Sequence, residues 1–212
     1  MTKILIVYAT NTGNTKKMAE AVARGARSVP EIEVILKDAS EATIDEVRAA
    51  DAIILGSPLR HRSADSRIKK FIEETIEILW LTDEMVGKTG GVFTTGGGYG
   101  NAGAGVEIAQ LGMLAAFAGV GMILVTLPKT TPGAAVAGSH WGAQGRTGSE
   151  REMMPIELSA ETLECAFHHG ANIARVAARL EGRELLARGN VAPTPEVLRM
   201  FMGGGESETA GG

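Results

Sequence analysis

The sequence predicts an α/β protein whose core is a doubly wound, five-stranded parallel sheet with helices on both faces. Two observations carry this prediction: five short apolar runs occur along the chain, and a segment with helical spacing follows each of them. Strands that alternate with helices in this way form parallel sheets. Right-handed connections then bring the carboxyl ends of the strands to one edge, called the rim from here on, where such sheets bind ligands.

Each predicted element has its own signal. The first and third runs are almost wholly apolar, which is typical of buried parallel strands, whereas the second alternates with charged residues and is expected nearer a sheet edge. Pro58 is expected to end the third strand, and Ser159 to cap the last helix. The predicted strands are residues 4–7, 32–36, 51–56, 89–95 and 120–127. The predicted helices are one that follows the first strand through residue 26, and 42–49, 64–79, 103–118 and 158–180.

Length, charge and cysteine content restrict the class of protein. With 212 residues the chain suits one α/β domain, expected over 1–182, with a loop or insertion at 128–157 near the site. Residues 183–212 are expected to form a C-terminal extension with a disordered glycine-rich tail. A net charge of −4 without long runs of one sign indicates neither nucleic acid nor membrane binding. The single cysteine, Cys165, fits a reducing compartment, so we expect a cytoplasmic protein.

The connection after the first strand is the most informative segment. Its residues are Thr10, Asn11, Thr12, Gly13, Asn14 and Thr15. Backbone N–H groups at the start of a helix favour an anion, and hydroxyl and amide side chains add donors. We therefore interpret this segment as a phosphate-binding loop. The alternative is a purely structural turn, because Thr and Asn also cap helices. Neither a P-loop nor a dinucleotide fingerprint follows this strand.

Two further loops are expected at the same rim. The third strand leads into Arg60, His61 and Arg62, which form either a solvated loop or an attraction for an anionic cofactor or co-substrate. The fourth strand leads into residues 98–103, a G-x-G-x-x-G sequence. A Rossmann-type dinucleotide site would also need an acidic residue after the next strand, and residues 124–129 contain none. A loop that packs against one edge of a flat ligand is the better explanation.

Side chains suited to metal, nucleophilic or acid–base chemistry are few, and we assign no catalytic residue. No set of His, Cys, Asp and Glu has metal-ligand spacing, so we expect no metal site, and no G-x-S-x-G sequence occurs. His61 and His140 belong to loops near the expected site, and each is either a proton shuttle or a surface residue. Trp80, Tyr99 and Trp141 either pack on protein or wall a planar ring.

Four segments match the motifs of one family. The loop at 10–15 is similar to T/S-x-T-G-x-T, and residues 56–60, with the helix that ends at Leu79 and Trp80, are similar to a G-T/S-P-T-R loop and an L-W helix end. Residues 93–98 are similar to F-S-S-x-G-x-G-G, and residues 139–143 to a late P/H-Y-G-A segment. Over roughly residues 3–182 the chain therefore resembles the flavodoxin superfamily and, within it, the WrbA-like NAD(P)H:quinone oxidoreductases.

This resemblance implies a flavodoxin-like fold that binds FMN non-covalently, in a homodimer or homotetramer that completes the flavin pocket. The loop at 10–15 would hold the phosphate. The residues that would line the flavin ring are Pro58, Leu59, Arg60 and His61 on one side, and Thr95, Gly96, Gly97, Gly98, Tyr99 and Gly100 on the other. We place Trp80, His140 and Trp141 in the substrate pocket.

The resulting hypothesis is an FMN-dependent oxidoreductase that transfers electrons from NAD(P)H to a quinone-like small-molecule acceptor. Two positions differ from the family pattern: no histidine precedes Gly121-Met122, and Thr12 stands where an aromatic residue linked to nicotinamide binding is common. His140 or His61 is a hypothetical substitute for that histidine. The alternative class is a flavodoxin-like electron carrier that docks on partner proteins, which the modest net charge and the rim arginines disfavour.

Overall fold

The computed structural model describes residues 1–98, 104–149, 154–187 and 192–202 of the chain. Its strands are β1 (Thr2–Tyr8), β2 (Ile32–Asp38), β3 (Ala52–Arg60), β4 (Ser63–Ala64), β5 (Thr89–Gly96), β6 (Ile123–Leu124), β7 (Gly138–Ser139) and β8 (Gly142–Arg146). Its helices are α1 (Asn14–Arg27), α2 (Ile44–Ala49), α3 (Ser66–Phe71), α4 (Glu77–Trp80), α5 (Val106–Gly119), α6 (Ala134–Ala137), α7 (Ala160–Leu180) and α8 (Pro195–Met202), and a π-helical segment, Ile72–Ile76, joins α3 to α4.

The sheet confirms the predicted α/β architecture. Four strands run in parallel in the order β2-β1-β3-β5, and β6 and β8 both pair in parallel with the far side of β5. Two short antiparallel strands extend it, β4 beside β3 and β7 beside β8. Because the chain runs to β2 on one side of β1 and then to β3 on the other, the ends of β1 and β3 form a switch point, where open α/β sheets bind ligands.

Helices cover both faces of the sheet, as predicted. Successive strand residues point to opposite faces, so the apolar runs supply two cores. Ile4 and Ile6 pack with α1 and α7 on one face, whereas Leu5 and Val7 pack with α3, α4 and α5 on the other. This double burial is the reason that residues 4–7 of β1 and 52–55 of β3 are all apolar.

The prediction that Pro58 ends the third strand is wrong. β3 continues through Pro58 to Arg60, and Pro58 is paired in register with Thr95 of β5. The Gly56 carbonyl accepts from Ala9 N at 3.0 Å, so Pro58, two residues further along, faces the same side, where the pairing with β1 has already ended at Tyr8. The missing N–H of Pro58 therefore falls beyond the last residue pair of β1 and β3.

The predicted single strand over 120–127 is also corrected, because two segments fill the fifth position of the sheet. β6 pairs with the first residues of β5, and β8 pairs with its last four. Between them the chain leaves the sheet and returns through α6 and β7. A Cβ on Gly142 would lie 2.1 Å from the Val92 carbonyl oxygen, so β8 depends on glycine to approach β5. A strand built on glycine lacks the apolar pattern by which strands are predicted.

A buried side-chain amide fastens β8 to its neighbours. Gln110 of α5 donates from Nε2 to Thr94 Oγ1 at 3.1 Å and to the Ala143 carbonyl at 3.0 Å. Its Oε1 accepts from the hydroxyl of Ser139. Because Gln110 is wholly buried and satisfied on both sides, it fixes the register of β8 against β5 and so positions the segment that continues to the rim.

The predicted helices are present. The third runs without a break from Ser66 to Trp80, and Ser159 caps α7 by accepting from Thr162 N at 3.2 Å. Cys165 is buried in α7, where desolvation raises the pKa of its thiol to about 11. In the described part of the chain, no helix has the length and apolar character needed to cross a membrane. Residues 203–212 of the expected tail lie outside the described residues.

Candidate functional site

Three loops meet at the rim. The first loop is residues 10–15, between β1 and the start of α1; the second loop is residues 57–65, which include the β3–β4 hairpin; the third loop is residues 95–98 at the end of β5. Tyr99 and Gly100, which the sequence also placed in this loop, lie outside the described residues.

The first loop ends in a helix start that no side chain caps. Gly13 has φ 87° and ψ −15°, the left-handed conformation that glycine adopts at low cost, and its N–H donates to Thr10 Oγ1 at 3.1 Å. No side chain caps α1, and its first turn contains no acidic residue. The N–H groups of a first helical turn have no acceptor within the helix. This part of the loop therefore offers several donors and the positive end of a helix dipole to an anion.

Hydrogen bonds and close packing bring the three loops together. Thr15 Oγ1 and Thr95 Oγ1, both buried, lie 2.7 Å apart and join the first loop to the third. A Cβ on Gly96 would lie 2.4 Å from Leu59 Cδ1, so the third loop also packs directly on the second. The structure thus places most of the predicted cofactor residues in one region of the rim.

The second loop is a tight hairpin with two strained residues. Leu59 pairs with Ala64 and Arg60 with Ser63, which leaves His61 and Arg62 as a two-residue turn. Their φ angles are 47° and 70°, values that residues other than Gly seldom adopt, although Asn, Asp and His do so more often than most. A Cβ on Gly105 would lie 2.6 Å from Arg62 Cα, so the chain before α5 packs against this turn. This contact helps to hold the turn at the rim.

An ion pair that the sequence analysis missed lies between the first and second loops. Arg67 donates from Nε to Asp65 Oδ1 at 2.8 Å and from Nη2 to Asp65 Oδ2 at 2.9 Å. Asp65 is buried, and the hydrogen bonds from the guanidinium hold the pKa of its carboxyl below the usual value despite that burial. Arg67 lies in the first turn of α3, and the sequence pattern of this helix indicates only its apolar face. The ion pair of Arg67 with Asp65 is therefore visible only in the tertiary structure.

The segment after β8 adds a fourth wall. Thr147 N donates to the Gly96 carbonyl at 3.0 Å, and Asn14 Nδ2 donates to the Ile156 carbonyl at 3.1 Å. A Cβ on Gly148 would lie 2.7 Å from Gly97 Cα. The end of the 128–157 segment therefore contacts both the first and the third loop.

The residues of the predicted substrate pocket, Trp80, His140 and Trp141, are spread over the structure. Trp80 ends α4, and 48% of its surface is exposed. His140 and Trp141 form the turn between β7 and β8, which is the end of β8 away from the rim. His140 and Arg62 both line one cleft of 620 Å³. Open space therefore connects His140 with the second loop.

A buried histidine supports the sheet beneath the site. His169 of α7 lies 3.0 Å from the Val92 carbonyl through Nε2, which must carry the hydrogen because a carbonyl only accepts. Its Nδ1 has no partner among the described residues. Desolvation lowers its pKa to about 4, so the ring is neutral. Within the described ranges, no three His, Cys, Asp or Glu side chains are grouped to hold a metal.

Comparison with known proteins points to one family. A model of the flavodoxin domain matches residues 5–94. The chain is 33% identical over 204 residues to an NAD(P)H dehydrogenase (quinone) of Sinorhizobium fredii, an alignment that covers 85% of this chain and 99% of that protein. It is 40% identical over 124 residues to a flavodoxin of Aquifex aeolicus, which covers 58% of this chain and 64% of that protein. A flavodoxin, WrbA-like protein from Agrobacterium tumefaciens has a similar fold, with a TM-score of 0.66, 24% identity, and coverage of 85% of this chain and all of that one.

Proposed function

The chain belongs to the flavodoxin superfamily, in its branch of WrbA-like NAD(P)H:quinone oxidoreductases. We propose that it binds FMN non-covalently and transfers electrons from NAD(P)H to a quinone-like acceptor. The observation that carries the proposal is the uncapped start of α1 within a loop of hydroxyl, amide and glycine residues, at a rim where two other loops converge.

The donor set of the first loop fits a phosphomonoester. Its donors are neutral, and the helix start supplies the positive potential. Gly13 supports this fit, because a Cβ at this position would meet no atom within 4 Å, which leaves open space above the backbone for a ligand. Thr10 to Thr15 would therefore hold the phosphate, with the Thr15 hydroxyl already fixed by Thr95.

The second and third loops suit a flat ring. Leu59 offers an apolar surface, and Gly97 leaves the backbone of the third loop without a side chain. Pro58, Leu59, Arg60 and His61 would line one side of the ring, and Thr95 to Gly98, followed by Tyr99 and Gly100, the other. The left-handed turn at His61 and Arg62 would carry these two side chains at the mouth of the site.

When bound, FMN supplies the redox chemistry, since it accepts a hydride from a reduced nicotinamide and gives two electrons to the acceptor. The protein positions the cofactor, excludes competing reactions and supplies charge near the ring. Arg60 and Arg62 would attract the anionic donor. His61 and His140 are the candidates for holding or moving a proton at a ring nitrogen of the side chain.

A homodimer or homotetramer would complete the substrate pocket. Trp80 is half exposed, and α5 presents Ile108 and Leu111, which are 65% and 41% exposed, on its outer side. Ile108 and Leu111 lie one turn apart on the same face of α5, and contiguous exposed apolar surface is typical of protein interfaces. We propose that a second subunit covers this surface and brings Trp80 near a neighbouring flavin.

The electron-carrier function remains the second candidate, because the relative from Aquifex aeolicus is named a flavodoxin. The two functions are separated by the purified protein loaded with FMN and then mixed anaerobically with NADPH. The reductase function predicts flavin absorbance close to one per chain, bleaching by NADPH, and steady NADPH consumption once a benzoquinone is added. Bound flavin that NADPH does not bleach would favour the carrier, and the absence of any flavin binding would overturn both.

A further inference from the structure

We propose that Arg67 is a positioning residue that gives this site its preference for FMN over riboflavin, the flavin without a phosphate. The inference rests on the proposed function and deepens it. Arg67 does not belong to the first loop, yet its guanidinium contacts two residues of that loop and also the buried Asp65. The geometry of these contacts determines which groups of the first loop face a bound anion.

The guanidinium first fixes the Thr10 carbonyl. Arg67 Nη1 donates to Thr10 O at 3.1 Å, so this oxygen points towards the arginine. A carbonyl oxygen turned towards a bound phosphate would repel it, because both carry negative charge. Arg67 therefore holds the loop in the orientation in which its N–H groups, rather than this carbonyl, are available to the anion.

The same group sets the orientation of the Asn11 side chain. Arg67 Nη2 contacts Asn11 Oδ1, and an arginine can only donate, so the amide oxygen must face the guanidinium. The Asn11 NH₂ group is then directed away from Arg67 and is free to donate to a ligand. One guanidinium thus turns two acceptors of the first loop away from the expected phosphate position.

Because Asp65 neutralises Arg67, the contribution of Arg67 to phosphate binding is one of geometry and not of net charge. Both carboxylate oxygens accept from Arg67, and Asp65 also caps α3 through Arg67 N at 3.0 Å. Asp65 N donates to Ser57 Oγ at 2.8 Å, which ties the pair to the second loop. Because an aspartate already neutralises the guanidinium, its effect on phosphate binding should depend little on salt.

The test measures dissociation constants for FMN and for riboflavin by quenching of flavin fluorescence, at low and high salt. Arg67→Met removes the guanidinium, and Arg67→Lys keeps the charge without the planar fork. Arg67→Met leaves the buried Asp65 with only the more distant Arg60, whose Nε lies 4.0 Å from Oδ2, and can impair folding. The double variant Asp65→Ser/Arg67→Met avoids that charge and keeps a capping hydroxyl. Lys70→Met, which removes an exposed charge from the same helix, is the matched control.

The expected result is a selective loss. The FMN dissociation constant should rise about tenfold to a hundredfold in Arg67→Met and in the double variant, as expected for lost hydrogen bonds to a charged group. The riboflavin constant should change by less than about threefold, so the ratio of the two constants falls. Arg67→Lys should recover only part of the ratio, and Lys70→Met should show none of the loss.

Three other results would overturn the inference in distinguishable ways. Equal weakening of FMN and riboflavin binding, or an unchanged ratio, would show that Arg67 only maintains the fold, with the proposed function intact. A wild-type protein that binds neither flavin would overturn the proposed function itself and this inference with it. A loss that disappears at high salt would assign Arg67 a direct coulombic role, which also contradicts a positioning role.

Discussion

The hydroxyl oxygens of Thr15 and Thr95 lie 2.7 Å apart, although the strands from which their loops emerge are separated in the sheet by β3. Thr15 belongs to the first turn of α1, and Thr95 is the penultimate residue of β5. This buried hydrogen bond crosses the end of β3 and holds the first and third loops at a fixed separation.

Replacing either threonine by valine should destabilise the protein. Thr15→Val or Thr95→Val keeps the volume but leaves one buried hydroxyl without its partner, which costs about 1–3 kcal/mol of unfolding free energy. The double variant should lose less than the sum of the two single losses, because neither hydroxyl is then left alone. Urea unfolding measures these differences, and Thr126→Val, at an exposed position, is the control. Additive losses would contradict a coupled pair.

Gly13→Ala should weaken FMN binding through backbone conformation alone. A Cβ at Gly13 meets no atom within 4 Å, but its φ of 87° disfavours alanine by about 1–2 kcal/mol, so the loop is expected to shift. Gly87 is the matched control, because it has φ 81°, equally open surroundings and a place distant from the rim, before β5. Gly87→Ala should lower stability without changing the FMN dissociation constant. Equal effects of both variants on FMN would argue against the first loop as the phosphate site.

The contact between α1 and α7 depends on two glycines. A Cβ on Gly170 would lie 2.2 Å from the Val22 carbonyl oxygen, and one on Gly25 would lie 1.8 Å from the Phe167 carbonyl oxygen. Gly170→Ala should therefore cost about 3 kcal/mol, because backbone must move to admit the methyl group. At Gly112, in the middle of α5, a methyl group would meet no atom within 4 Å, so Gly112→Ala should stabilise by about 0.5–1 kcal/mol. Denaturant unfolding of the two variants would reveal these opposite signs.

His169 should make stability fall at acidic pH. Its pKa is lowered from 6.5 to about 4 in the folded protein, so the unfolded chain binds more protons between these values. Its contribution is fully present above pH 6.5 and is lost as the pH falls towards 4, with a total of about 3 kcal/mol. The expected change is measured by urea unfolding at a series of pH values.

Two adjacent histidines provide the test variant and its control for this pH dependence. His169→Gln keeps a donor for the Val92 carbonyl but does not titrate, so it should flatten the dependence between pH 6.5 and 4. His168→Gln leaves His169 in place and should retain the wild-type slope. A slope that survives in His169→Gln would assign the acid sensitivity to other groups.

Local sequence patterns were enough to predict the first four parallel strands and the main helices, because double-sided burial of β1 and β3 and one-sided burial of the helices leave strong apolar periods. They also indicated the first loop, since hydroxyl, amide and glycine residues between a strand and a helix are a local signal. The remaining features depend on contacts between distant parts of the chain. β8 is built on glycine and has no apolar pattern, and Pro58 continues a strand because its neighbour β1 has already ended. The Thr15–Thr95 bond and the Arg67–Asp65 pair join residues whose roles depend on where the chain returns, which no local pattern encodes.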